Sequence, residues 1–469
     1  MSYKEICYAS AIEQATWIRT KKISPVEVIQ AHLERIQSLN PSLNAVVTLA
    51  DGAIENSRKA EIALMKGTHW GPLHGVPFTA KDCFDTAGTR TTRGSKLFDS
   101  RIPRQDATAV LRLRQAGAIL LGKTNLPEFA LRDETSNKVF GQTNNPWNLK
   151  KTPGGSSGGE AAAVAAGFSP LGIGTDLGGS NRLPAHYCGI VGFKPTHGRI
   201  PLTGQWPELM ARHLHVGTLS RTVGDTVLAL SILHGPDGKD PYAIRPRPTR
   251  NIPSFSGSLP PLKVGWLSEG PFAPVDEGIQ DKVREAAARL EDLGCRTQPI
   301  SLKEWKKTAP IKLIMDVLVV EAKHYFEPII TGREGELSPA VKTLLNLPLP
   351  SLPEYVESLT ACEQLRHDMM KQFSRFDLLL LPTGPITAPT HNAVNLEINH
   401  LMTSRIHAAC ITPAFGITGS PAISIPVGLS PNGLPIGVQL VARYFEESLL
   451  FHAATALEKA YLPPPAFST

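Results

Sequence analysis

Two clusters of glycine and serine stand close together in this 469-residue chain. The first is Gly154-Gly155-Ser156-Ser157-Gly158-Gly159, and the second is Gly174-Thr175-Asp176-Leu177-Gly178-Gly179-Ser180. Between them, AAAVAAG predicts a helix and SPLGIGTD a buried strand. A helix followed by a strand returns the chain to the edge it left, so the two clusters can meet. Glycine lets backbone N–H groups approach a ligand without side-chain obstruction. A run of such groups just before a serine is what an oxyanion hole needs. A serine nucleophile also needs a base. Histidine is one option, although this pattern places none; a lysine kept neutral by burial is the other. Lys81 is a candidate for that role, since Leu73, Val76, Phe78 and Ala80 in LHGVPFTAKD predict a buried strand ending at it. The plain alternative is a solvated lysine at a strand end.

Other matches are weaker on context. Residues 117–124, GAILLGKT, fit the phosphate-loop pattern GxxxxGKT, which would make the chain a nucleotide-binding protein. A phosphate loop follows a strand and opens a helix. Here a helix precedes Gly117 and the apolar run after it reads as a strand, so a helix–glycine–strand joint is expected. The frames centred on Ser156 and Ser157 fit the GxSxG nucleophile elbow, but the preceding TNNPWNLKKTPGG is polar and turn-rich where an elbow needs a strand. His213 and His215 have the spacing of one strand face, with no third metal ligand in sight.

The elements that must hold these residues are legible in outline. Ser24, Pro25 and Glu27 cap a helix over 24–40, with Val26, Ile29, Leu33 and Ile36 on its buried stripe. DATAVLRLRQA, at 106–116, predicts a second helix that Gly117 ends, and AILLG a short buried strand. KVGWL, FDLLLLP at 376–382 and AISIPVG at 422–428 predict further strands, and Ile279, Val283, Ala287, Leu290 and Leu293 mark one face of a helix. Helices alternating with short apolar strands argue an α/β fold. The proline- and charge-rich stretch 235–262 reads as a surface connection.

Composition bounds the classes. Hydrophobic residues make up 42% and charged residues 19%, enough for a large core. Lys and Arg number 48 against 42 Asp and Glu, with no dense basic block, which gives nucleic-acid binding little support. The 6 cysteines are scattered and lack a CxxC, as in a reducing, cytoplasmic setting. No leader pattern opens the sequence and no run approaches a membrane span.

Residues 154–196, GGSSGGEAAAVAAGFSPLGIGTDLGGSNRLPAHYCGIVGFKPT, resemble the amidase signature. HGVPFTAKD resembles that family's lysine segment, GAILLGKTNLPEFA and NNPWNL its next two blocks, and GSPAISIPVGLSPNGLPIGVQLVARYFEESLL its C-terminal block. The resemblance covers nearly the whole chain. It implies one amidase domain over 1–469, a large mixed central β-sheet covered by helices on both faces. The signature core would span 73–225, and 263–375 would be an inserted helical lobe on the lid side. It further implies a Ser–cisSer–Lys triad: Ser180 as nucleophile, Ser156 as the bridging serine and Lys81 as base. The N–H groups of Leu177, Gly178, Gly179 and Ser180 would form the oxyanion hole. Ser157 would order the hydrogen bonds around Lys81, and Asp176 with Arg182 would brace the nucleophile loop.

The same resemblance implies that the chain would be a serine amidohydrolase needing no metal or cofactor. It would act on a small, apolar amide, anilide or carbamate, with a homodimer left open. The alternative within the family is an amidotransferase component that works on transfer RNA with partner chains. That component usually carries Gln two residues after the position of Asn181, where this chain has Leu183, and an aliphatic residue in place of Asn181 itself. Residues 203–215, TGQWPELMARHLH, depart most from the family. Trp206, Leu209, Met210 and Leu214 there, with Phe129, Leu131 and Phe140, are the expected lining of an apolar acyl pocket. Packing within the loop is the plainer alternative.

Overall fold

The computed structural model describes residues 1–245, 261–270, 274–302, 305 and 309–461. Most of the 235–262 connection, residues 246–260, lies outside them. Eleven strands form one sheet: β1 (Val46–Leu49), β2 (Pro77–Lys81), β3 (Ile119–Thr124), β4 (Leu171–Asp176), β5 (Val191–Lys194), β6 (His215–Ser220), β7 (Lys263–Trp266), β8 (Arg296–Pro299), β9 (Leu378–Pro382), β10 (Ala422–Leu429) and β11 (Pro435–Ala442). Their spatial order is β1-β3-β2-β4-β6-β5-β10-β11-β9-β7-β8. The sheet is mixed. β3, β2 and β4 run parallel to one another, as do β9, β7 and β8, and the pairs between these two blocks are antiparallel.

Strand β3 shows how the sheet is covered. All six of its residues are buried. Ile119 and Leu121 point to one face, where they meet helices α1 (Pro25–Leu43) and α3 (Gly158–Ala165). Leu120 points to the other, into the main core with Val110 and Leu113 of α2 (Thr108–Gln115). A strand buried on both faces needs no polar alternation, and this one has none. Gly117, at φ +91°, makes the turn from α2 into the strand. Lys123 is fully buried, donating to Thr91 Oγ1 at 3.1 Å and lying 3.4 Å from Asp82. The GKT match is therefore the buried end of a strand.

The capping box on α1 forms as its sequence predicts: the Ser24 hydroxyl accepts from the Glu27 N–H and the Glu27 carboxylate from the Ser24 N–H. Residues 263–375 supply β7 and β8 to the far edge of the sheet. They also supply helices α5 (Glu277–Asp292), α6 (Pro310–Ile330) and α7 (Leu352–Arg375), which follow α4 (Val223–Leu233) along the chain. All six cysteines are buried and unpaired. Among the described residues, no helix is long and apolar enough to cross a membrane.

Candidate active site

Strand period decides where Lys81 points. On β2, Phe78 and Ala80 join the main core. Thr79 and Lys81 therefore face the opposite side, toward the first turn of α3. There the Lys81 amine lies 2.7 Å from Ser156 Oγ, 3.0 Å from Ser157 Oγ and 2.9 Å from Thr175 Oγ1, fully buried. Burial favours the neutral amine, and the opposing fields of Cys83, Asp176 and Glu160 do not cancel it, so its pKa falls to about 8. One turn deeper, the buried Glu160 carboxylate accepts from Thr79 and from Thr124 Oγ1 at 2.8 Å. Burial raises that carboxyl to about 7 against the pull of those hydroxyls.

The two glycine–serine clusters do meet. The Ser157 N–H donates to the Ser180 carbonyl at 3.2 Å, and the Ser157 hydroxyl reaches Asn181 Oδ1 at 3.0 Å. The Gly155–Ser156 peptide bond is cis. Ser156 is almost wholly buried, while Ser180 is half-buried and lines a cavity of about 240 Å³.

Asp176, at the end of β4, ties down the loop before Ser180. It accepts from the Gly179 N–H at 2.8 Å, the Asn181 N–H at 3.2 Å and the Arg182 guanidinium at 2.8 and 3.0 Å. Burial alone would raise its carboxyl; the Arg182 cation and these donors outweigh it and hold the pKa below its ordinary value. Arg182 also donates to the Thr412 carbonyl and to Gln439. With the Gly179 N–H spent on Asp176, the N–H groups of Leu177, Gly178 and Ser180 are those with no hydrogen-bond partner among the described residues. The Gly178 carbonyl is turned the other way, accepting from Thr412 Oγ1 at 2.6 Å.

Of the expected pocket residues, Leu131 lines the cavity beside Ser180 and the others do not. Phe129 stacks on Phe326 with centroids 4.7 Å apart, and Trp206 lies edge-on to Phe98 and Phe129 at 5.1 Å. Leu209 and Met210 are buried in the main core, Leu214 is nearly as enclosed, and Phe140 lies under the Arg90 guanidinium. The 203–215 segment is packed under the C-terminal half of α6, where the Met210 N–H donates to Glu321 and Trp206 meets Phe326. The opposite end of that helix is turned to the site. Ile311, Ile314, Met315 and Leu318, at helical spacing i, i+3, i+4, i+7, form the apolar wall, and Arg132, Asp133 and Arg405 form a charged rim.

Thr175, the third hydroxyl on Lys81, escapes the sequence reading, although it sits on the strand the pattern predicts, next to Asp176. Thr412, Gln439 and Arg405 carry no local signal at all. His215 places Nδ1 3.0 Å from the Asp176 carbonyl, and His213 faces Arg366. Among the described residues no three His, Cys, Asp or Glu side chains converge as metal ligands would.

The profile of the amidase family matches residues 27–451. The chain is 33% identical to a glutamyl-tRNA(Gln) amidotransferase subunit of Carboxydothermus hydrogenoformans, over 97% of this chain and 98% of that protein. A solved structure of a vestigial protein complex, one that reveals the evolutionary origins of an s-triazine catabolic enzyme, is similar at TM-score 0.88 and 28% identity, covering 97% of this chain and 99% of the other. A bacterial aryl acylamidase of the amidase signature family is similar at TM-score 0.87 and 29% identity, covering 97% and 96%.

Proposed function

From the premise that this chain belongs to the amidase family, whose members act on C–N bonds, we propose that it is a serine amidohydrolase for small apolar amides, anilides or carbamates. The observation that carries this reading is the cage of three hydroxyls around a buried, readily neutralised Lys81, joined to the half-exposed Ser180 through Ser157, whose hydroxyl meets Lys81 and whose N–H donates to the Ser180 carbonyl. Neutral Lys81 takes a proton from Ser156, which takes one from Ser180 as its Oγ bonds to the substrate carbonyl carbon. The developing oxyanion faces the N–H groups of Leu177, Gly178 and Ser180. Ser156 then passes a proton to the nitrogen, the C–N bond breaks and the amine leaves. Water, activated by the same relay, releases the acid from the Ser180 ester. Within this reading, residues 263–375 are the lid-side lobe, since α6 walls the cavity, and that apolar wall favours an apolar substrate.

The second reading is an amidotransferase component that acts only with partner chains. It is favoured by the curated relatives, glutamyl-tRNA(Gln) amidotransferase subunits at 31–34% identity across nearly the whole chain. One experiment separates the two. The purified chain alone is assayed for amine release from a panel of anilides and alkyl amides, with fluorophosphonate labelling of Ser180 as an independent check. Turnover without partners supports the hydrolase; turnover of glutamine that appears only on adding amidotransferase partner chains supports the second reading.

A further inference from the structure

The cavity has two unlike sides, and the relay orients them. Ile314 of the apolar wall lies close to the oxyanion loop: its Cδ1 is 3.9 Å from where a β carbon on Gly178 would be. The charged rim lies against the other cluster. A β carbon on Gly155 would sit 2.7 Å from Asp133 C and Glu134 N, so the 132–134 backbone presses directly on the Gly155–Ser156 unit. In the proposed reaction Ser156 hands its proton to the leaving nitrogen, so the amine half of the substrate faces this rim.

Arg405 is the unusual member of the rim. Its Nε donates to Asp133 Oδ2 at 3.3 Å, and its nearer terminal nitrogen lies 3.4 Å from Glu134 Oε2. Yet among the described residues neither terminal nitrogen has a hydrogen-bond partner, and both are shielded from solvent. On Glu134, Oε1 takes the Asn392 N–H at 2.9 Å and lies 3.3 Å from His391, while Oε2 lies 3.6 Å from Arg132 and makes no hydrogen bond among the described residues, so Glu134 gives Arg405 an ion pair but not the two-point contact its fork can make. A buried guanidinium with both terminal nitrogens short of a hydrogen bond is costly, and a planar carboxylate is the group whose geometry matches the fork. A turn of the guanidinium toward the cavity that Arg405 already lines would bring the two together.

We infer that Arg405 is a specificity-determining residue that reads a carboxylate on the amine half of the substrate, so that the preferred substrate is an apolar acyl group joined to an amino acid, an N-acyl amino acid. This rests on the amidohydrolase reading above, keeping its apolar acyl half and replacing the apolar amine half with a charged one.

The test compares N-hexanoylglycine with its isobutylamine analogue, N-hexanoylisobutylamine, in which a branched alkyl group of similar shape replaces the carboxylate. Hexanoate release is the common readout. Wild type is expected to favour the glycine conjugate in kcat/KM by about tenfold or more, the worth of a charge-assisted pair. Arg405→Met should collapse that ratio through KM. Arg405→Lys keeps the charge for Asp133 and Glu134 but removes the fork, so it carries the test should Arg405→Met fail to fold, and it should lower the ratio as well. Equal rates in wild type, or a ratio that survives both substitutions, overturn the inference. So does fluorophosphonate labelling of Ser180 without hexanoate release from either amide, which leaves the amidohydrolase reading standing. Absence of both release and labelling defeats that reading, and this inference with it.

Discussion

Lys81 should impose an alkaline rise on the rate, and its size follows from the cage. With a pKa of about 8, about one Lys81 in eleven is neutral at pH 7 and about ten in eleven at pH 9. At its ordinary 10.5 only about one in 3,000 would be neutral at pH 7. The relay starts from the neutral amine, so kcat/KM should climb about tenfold between pH 7 and 9 and level off above. The cage also predicts how the midpoint moves. A charged ammonium has three N–H donors, and Ser156, Ser157 and Thr175 supply three acceptors. Thr175→Val strands one donor of the charged form, whereas the neutral amine has only two donors to place. Losing one hydrogen bond of about 0.5–1.5 kcal/mol should therefore lower the midpoint by roughly 0.4–1 pH unit. The assay is the pH profile of kcat/KM for an anilide whose acylation is rate-limiting, run on wild type and Thr175→Val. A flat wild-type profile from pH 6.5 to 9, or a midpoint that rises in Thr175→Val, would refute the reasoning.

Ser180→Ala should abolish fluorophosphonate labelling, and Lys81→Ala should slow it by about 10²–10⁴-fold, as mass spectrometry of the labelled peptide would read. Asp176→Asn breaks an ion pair with Arg182 whose side chains are both wholly buried. It should cost about 3–5 kcal/mol, and an unchanged urea midpoint would count against the bracing role. Gly179 has φ +117°, and a β carbon there would lie 2.0 Å from Thr412 Oγ1, whereas at Gly178 the nearest atom is 3.8 Å away. Gly179→Ala should therefore lower the melting temperature while Gly178→Ala leaves it nearly unchanged; equal losses would contradict this packing. Met315→Trp fills the apolar wall and should shift anilide preference toward shorter acyl chains, seen as a rise in KM that grows with chain length.

The candidate machinery was legible because it is local. Lys81 closes a five-residue strand, and Ser156 and Ser180 lie 24 residues apart on either side of one helix and one strand. Period-2 and period-3.6 patterns say which face of an element is buried, and that was enough to bring the two glycine–serine clusters to one edge; only the resemblance to the amidase signature joined Lys81 to them. The pocket was not legible for the same reason. Trp206, Leu209 and Met210 were expected to line it, with packing within the loop as the plainer alternative, and they are buried away from the cavity; what covers them and what they cover were not written nearby.

The sequence by itself determined the α/β class, the strand that ends at Lys81, the loop that carries Ser180 and the resemblance to the amidase signature. Only the tertiary structure decided that Asp176 takes the Gly179 N–H, that Thr175 completes the cage, and that α6 and Arg405 rather than the 203–215 loop meet the cavity beside Ser180. Ile314 and Arg405 lie 134 and 225 positions beyond Ser180. Local spacing records that a face must be covered. Which distant segment covers it is settled by the packing of the whole core, where volume, charge pairing and hydrogen bonding are satisfied together.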